Sequence, residues 1–266
     1  MEAATPIPRA VPSHRMILYP LTVVLLNLTF WPLFLSLTLG FVLLGFPCVY
    51  LFHKIIRNPR KTSWLIRRTL DWYGSSSLRC GWPLLRVKYI DHAPAERPPF
   101  VFIANHRSSS DGFLVALLSM EAVQMLNIWP AHTPLIGFLA RVAGYLKVRE
   151  MPFDDFLRDG SKLLAEGCSV IAFPEGTRSG SAVMGNFHGS AFRLAQHNKV
   201  KIAPLAIWGN EDKPRRGSLI LHPGKVIVSK LPSTTPEEYK DMTPFVLKNA
   251  VRDRIAKHLD SMPAEQ

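Results

Sequence analysis

Phe100-Val101-Phe102-Ile103-Ala104-Asn105-His106-Arg107-Ser108-Ser109-Ser110-Asp111 is the stretch on which the reading of this sequence turns. Five consecutive apolar residues, bounded by the turn-forming Pro94, Pro98 and Pro99 before them and by polar residues after, predict a strand buried on both faces. Residues 112–120 then read as a helix, and strand followed by helix is the unit of a parallel α/β sheet. The alternation continues along the chain: 134–142 reads as helix, 145–148 as strand, 153–165 as helix and 169–173 as a second buried strand. Further on, 189–197 reads as helix and 201–207, 218–221 and 225–228 as strands. Leu247, Val251, Ile255 and Leu259 mark one face of a closing helix entered through Thr243 and Pro244. Before the buried strand, Leu85, Val87 and Tyr89 alternate with Arg86 and Lys88, the period of a half-exposed strand. The fold class is therefore α/β, a mostly parallel sheet flanked by helices.

Outward toward the N-terminus the composition changes. No charged residue occurs from position 16 to 52, a run of Leu, Phe, Val and Ile, whereas a single helical span needs about 20 residues. The run accommodates one span with an interfacial turn or two short helices breaking near Trp31 and Pro32, and the second arrangement is the expectation here. Arg9 and Arg15 precede the run, while Lys54, Arg57, Arg60, Lys61, Arg67 and Arg68 follow it. Cationic flanks on both sides suit a hairpin that returns the chain to the cytoplasmic face of an inner or plasma membrane. The run exceeds the roughly 7 to 15 apolar residues of a signal core and lacks a small-residue cleavage site. The expected organisation is a disordered 1–15, a membrane-inserted helical hairpin at 16–52 and a catalytic domain at 53–266. The last few residues also read as disordered. A helix around 64–73, with Arg67 and Arg68 in it, suits either an anionic membrane surface or the core.

The 266 residues carry 32 Lys and Arg against 20 Asp and Glu, a net charge of +12, which favours anionic partners. The membrane run and the absence of a nucleic-acid-binding motif argue against nucleic acid. Cys48, Cys80 and Cys168 form no CxxC pair, so neither a disulfide framework nor a zinc cluster is expected. His132, His188, His197, His222 and His258 are scattered and show no HExxH spacing.

Two segments carry chemistry. His106 and Asp111 follow a buried strand, where catalytic loops of parallel sheets gather, and an Asp five residues on can accept the imidazole proton and fix a general base. Taken on spacing alone, a capped turn with a surface His explains them as well, and Ser108, Ser109 and Ser110 suit helix capping better than attack on a carbonyl. The second segment, Phe173-Pro174-Glu175-Gly176-Thr177-Arg178-Ser179-Gly180, follows another buried strand. Its glycines permit a tight loop whose amides approach an anion, its hydroxyls donate, and Arg178 can grip phosphate in bidentate fashion. No GxSxG elbow is present, which argues against a serine hydrolase.

Together, over about residues 100–210, the two segments resemble the glycerolipid acyltransferase family, most closely its lysophosphatidic acid acyltransferases. That family's signature is a His and an Asp separated by four residues, followed by a Phe-Pro-Glu-Gly-Thr-Arg block, unbroken here. The resemblance implies acyl transfer from acyl-CoA or acyl carrier protein to the 2-hydroxyl of lysophosphatidic acid, giving phosphatidic acid without a covalent enzyme intermediate. It implies His106 as base, Asp111 as its orienting carboxylate, and Gly176, Thr177 and Arg178 as phosphate holders, with Glu175 in binding or loop organisation. It also implies Arg149 as an acceptor contact, one residue earlier than usual, with Lys147 sharing or replacing it. Pro204 matches the family's later proline, and His188 stands where a Lys is common. No metal or resident cofactor is implied. Another lysolipid or lyso-aminolipid acceptor, or a non-catalytic lipid-binding scaffold, remains the alternative.

Overall fold

The computed structural model describes residues 13–126, 134–178, 184–215 and 217–263, with side chains described from residue 18 on and excepting those of 134–137. Of the segment 1–15 expected to be disordered, residues 13–15 are helical, while residues 1–12, the last three residues, Ser179, Gly180 and His132 lie outside the described residues.

Seven strands form one sheet: β1 Leu85–Asp91, β2 Phe100–Ala104, β3 Ala122–Leu126, β4 Leu146–Lys147, β5 Ser169–Ala172, β6 Lys201–Trp208 and β7 Gly224–Lys230. Their spatial order is β1-β7-β6-β2-β5-β3-β4, every pairing parallel except β6 with β7. β2 and β5 lie near the centre and every residue in them is buried, as their unbroken apolar runs require. Pro204 lies opposite Ile103 in the β6–β2 register and its carbonyl accepts from Leu231 N.

The helices are α1 Ser13–Gly40, α2 Phe46–Ile55, α3 Pro59–Arg79, α4 Asp111–Leu114, α5 Pro134–Ala143, α6 Phe153–Ala165, α7 Ser190–Asn198, α8 Pro236–Tyr239 and α9 Pro244–Asp260. One face of the sheet buries Val101, Ile103 and Val170 against α6, α7 and α9, the last through Leu247, Val251, Ile255 and Leu259, as the periodicity predicted. The other buries Phe100, Phe102 and Ile171 together with Leu26 of α1 and Leu114 of α4. Thr243 caps α9 by accepting from Val246 N, with Pro244 in its first turn.

The N-terminal segment departs from the expectation. No break occurs near Trp31 and Pro32: α1 passes through Pro20 and Pro32, a π-helical turn at Phe41–Gly45 follows, and α2 continues the rod to Ile55. A turn within so apolar a stretch strands several backbone groups without water, whereas a helix that runs through a proline loses one bond. The reversal comes later, at residues 56–58, where Asn58 caps α3 by accepting from Lys61 N. Leu18–Ile55 is the one helical stretch, among the described residues, long and apolar enough to cross a membrane.

Its packing is one-sided. Leu26, Phe41 and Val49 are buried, and Phe30, Phe34, Thr38 and Phe46 stand with them in a stripe that recurs every three to five residues. Thr38 meets the Tyr73 hydroxyl of α3 at 2.8 Å, and Phe46 meets Phe138 of α5. Leu21, Leu25, Leu28, Leu35, Leu39, Leu43 and Leu51 face outward. The helix therefore lies along the domain from end to end.

Two further expectations are corrected. Residues 218–221 form no strand; Leu219 and Ile220 are exposed, and Leu221 bonds through its backbone to a side chain of α1. β3 was not anticipated, because Glu121 and Gln124 interrupt its short apolar run.

Candidate functional site

At the carboxyl end of β2, Asn105 substitutes for a backbone unit. Its Nδ2 donates to the Ile207 carbonyl (2.9 Å) and its Oδ1 accepts from Ile207 N (2.7 Å), so the main chain is released from β6 and turns upward. His106 stands next, its ring against Phe173 at 4.7 Å. Its Nδ1 lies 2.8 Å from Asp111 Oδ2, so the residues read as a pair are one.

Asp111 is fully buried and held on all sides. Its Oδ2 accepts from His106 Nδ1, from Arg107 N at 2.6 Å and from Ser108 N at 2.9 Å, while Oδ1 accepts from Asn210 Nδ2 at 2.5 Å. Since Asp111 only accepts, Nδ1 carries the imidazole proton and Nε2 is the basic nitrogen. The helix-capping role expected of the serines is corrected by these bonds: no side chain caps α4. Ser108 Oγ instead donates to the Pro214 carbonyl and Ser110 Oγ to the Lys213 carbonyl, fixing the 210–215 segment. Asn210 escaped the sequence reading; its position directly after an apolar strand was the available signal.

The second loop leaves β5 and turns at Gly176, whose φ is +69°. A Cβ there would come within 3.2 Å of the His188 ring and 3.6 Å of the Arg149 guanidinium, so glycine permits both the backbone angle and the approach of those side chains. Glu175 points the other way. It is buried, accepting from His106 N (2.7 Å) through Oε1 and from Gly185 N (2.8 Å) through Oε2. Of the two roles expected for it, the geometry gives loop organisation, because both oxygens are engaged by backbone away from the cavity.

A cavity of about 710 Å³ opens between the loops. His106, Gly176, Thr177, Arg178, Arg149 and His188 line it, and Arg193 joins them with its guanidinium over the Phe153 ring. No carboxylate lines it among the described residues, so the cavity is cationic. Met125, Leu126, Val148, Phe153 and Phe173 supply an apolar wall. Lys147 faces a different cleft and pairs with Glu150 at 3.5 Å, leaving Arg149 as the one of these two cations in the cavity. Arg193 and Gln124 were not legible in advance, since an Arg on a helix and a Gln in a strand carry no chemical signature alone.

Chemically, an imidazole oriented by a buried carboxylate borders a cationic cavity with apolar surface beside it. Among the described residues no group of three or more His, Cys, Asp or Glu is placed to hold a metal ion.

Comparison with known proteins supplies a matching frame. Residues 85–208 match the family model Acyltransferase. The 1-acyl-sn-glycerol-3-phosphate acyltransferase LPAT1, chloroplastic, of Arabidopsis thaliana is 28% identical over 184 residues, 66% of this chain and 49% of that protein. The 1-acyl-sn-glycerol-3-phosphate acyltransferase of Saccharomyces cerevisiae is 27% identical over 78% of this chain and 66% of its own. A lyso-ornithine lipid O-acyltransferase of Pseudomonas aeruginosa is 32% identical over 44% of this chain and 46% of its own. The chain thus spans about half the length of the first of these relatives. The crystal structure of the 1-acyl-sn-glycerophosphate (LPA) acyltransferase PlsC from Thermotoga maritima superposes with a TM-score of 0.71, covering 92% of this chain and 99% of that one at 20% identity, a likeness of fold.

Proposed function

From the match of residues 85–208 to the Acyltransferase family model, we propose that the chain belongs to that family and transfers a fatty acyl group from acyl-CoA or acyl carrier protein to the 2-hydroxyl of lysophosphatidic acid, giving phosphatidic acid. The carrying observation is the His106–Asp111 pair beside a cationic, carboxylate-free cavity. His106 Nε2 takes the proton of the acceptor hydroxyl as its oxygen attacks the thioester carbonyl. Asp111 stabilises the imidazolium that forms. The tetrahedral oxyanion collapses, the carbon–sulfur bond breaks, and the leaving thiolate takes the proton back from His106. No acyl-enzyme is needed, because the acceptor oxygen itself forms the new ester.

Arg149 and Arg178, with the Thr177 hydroxyl, hold the acceptor phosphate, whereas the Gly176 amide expected beside them donates to the Phe173 carbonyl at 3.1 Å. Charge-assisted bonds to phosphate are each worth about 1.5–3 kcal/mol where water is excluded. Glu175 sets the distance between base and phosphate by tying its loop to the His106 amide. The reaction as drawn calls for no metal or resident cofactor, and its rate is expected to be unchanged by added EDTA.

The lyso-ornithine lipid relative raises an aminolipid acceptor. Such a headgroup would set an ammonium among Arg149, Arg178 and Arg193, and the cavity offers it no carboxylate among the described residues. Charge favours the phosphate.

The protein is membrane-associated, and we place its apolar helix in the plane of one leaflet rather than across both. One face of the rod packs on the domain along its whole length, so insertion end-on would drag the domain in with it. Embedded sideways, the outward leucines meet acyl chains while the domain stays on the cytoplasmic face. This replaces the hairpin expected at 16–52 by one continuous helix over Leu18–Ile55, with α3 returning beside it.

The test is thiol release from acyl-CoA and from acyl carrier protein by the full chain in detergent, with and without lysophosphatidic acid. Acceptor-dependent release that yields phosphatidic acid and vanishes in His106→Ala is expected. Release without acceptor marks a thioesterase, and inactivity with every lysolipid returns the scaffold reading.

A further inference from the structure

The segment that leaves β6 begins at the active site. Asn210 donates to Asp111, and the carbonyls of Lys213 and Pro214 accept from Ser110 and Ser108. Its far end is tied to the apolar helix: Asn27 Nδ2 donates to the Leu221 carbonyl (2.8 Å) and Asn27 Oδ1 accepts from Leu221 N (2.9 Å). The Tyr19 hydroxyl adds a bond of 2.9 Å to His222 Nδ1. Asn27 is thus an amide side chain in a predominantly apolar rod, and both ends of its amide serve this loop.

Just before that clamp, Leu219 and Ile220 stand 72% and 54% exposed, while Leu221 is buried with Leu26. The two apolar side chains therefore stand within two residues of the clamp to a helix whose Val24 and Leu28 are also exposed. Arg215 and Lys225, both exposed, flank them in sequence with the charge that anionic headgroups attract. Apolar tip, cationic flanks and attachment to an apolar helix point to one occupant, a lipid bilayer surface.

We propose that Leu219 and Ile220 enter the bilayer interface beside the N-terminal helix, a second lipid contact made by the loop that leaves the active site. One end of this loop holds the carboxylate that orients His106, and its tip sits among lipid. The depth of the catalytic pair relative to the membrane is thereby fixed by the loop as well as by the helix. The proposal rests on the in-plane placement of the helix, and its test separates the two.

The full chain is prepared with Cys48 and Cys80 changed to Ser and with Leu219→Cys carrying an environment-sensitive nitrobenzoxadiazole label. Cys168 does not compete, being buried, with burial pushing its thiol up to about 12. Ile220→Cys provides a second position, and Phe245→Cys, exposed on α9 against the opposite face of the sheet, the control. The vesicles are phosphatidylcholine with a minority of phosphatidylglycerol.

On vesicle binding, emission from positions 219 and 220 is expected to shift to the blue, rise severalfold and be quenched by spin-labelled lipid, with position 245 unchanged. Protein that floats with the vesicles while 219 and 220 keep their aqueous emission overturns the proposal and leaves the in-plane helix standing. A blue shift at all three positions overturns it too, as non-specific partition. Failure to float removes the in-plane reading and this inference with it.

Discussion

The loops that follow β2 and β5 look alike in sequence, each a polar turn after a buried apolar strand, yet they are built in opposite ways. In residues 105–111 nearly every polar group is bound inside the protein, with Asp111 accepting four hydrogen bonds and His106 facing the cavity. In residues 173–178 one side chain, Glu175, turns inward to bind two amides, while Gly176, Thr177 and Arg178 all line the cavity. The first is organised to hold one imidazole in one tautomer. The second is organised to leave donors toward an anion. Base catalysis needs a fixed geometry, whereas capture of a phosphate needs uncompensated positive charge.

The difference predicts a division of kinetic effects. His106→Ala should lower kcat by roughly 10²–10⁴-fold with KM for the acceptor little changed, since a general base contributes about that much. Asp111→Asn should come within about tenfold of that loss, because the amide favours the wrong imidazole tautomer. It should also lower the melting temperature, as a buried acceptor of several bonds is replaced by a group that also donates. If either variant raised KM and spared kcat, the contrast between the loops would collapse.

Arg178→Ala and Arg149→Ala should each raise KM for lysophosphatidic acid roughly 10- to 100-fold, the worth of one charge-assisted bond, with kcat at saturation largely retained. Added salt should raise the wild-type KM and move the variants less. Titration of initial rates against acceptor reads both numbers. A selective fall in kcat would assign these arginines to the transition state instead.

Glu175→Gln should have the smallest effect, a few-fold loss spread over kcat and KM together, with destabilisation of about 1–3 kcal/mol from an amide that cannot accept at both ends. Thermal melting alongside kinetics checks it. An effect confined to KM would return Glu175 to substrate contact.

How far the sequence could be read follows from the same geometry. β2 and β5 were legible because burial on both faces demands an unbroken apolar run, and α9 because its core stripe repeats at helical spacing. β3 was not, since a short strand carrying Gln124 looks like any loop. Residues 218–221 misled for the converse reason. Their apolar character is real, but Leu221 finds its partner in Asn27, 194 positions away, and no local pattern encodes that. The expected break at Trp31 and Pro32 failed because proline rules drawn from aqueous helices overstate the cost where backbone has no water to turn to.

The sequence by itself determined the strand-end positions of the two loops, the His106–Asp111 pair and the apolar anchor, since burial period and residue spacing are local properties of the chain. Tertiary structure alone decided that Glu175 turns inward, that Arg149 and not Lys147 reaches the cavity with Arg193, that Asn210 completes the shell of Asp111, and that the helix lies along the domain. Each of these depends on which distant segments the sheet brings to one edge, and on which face of an element the core has already claimed.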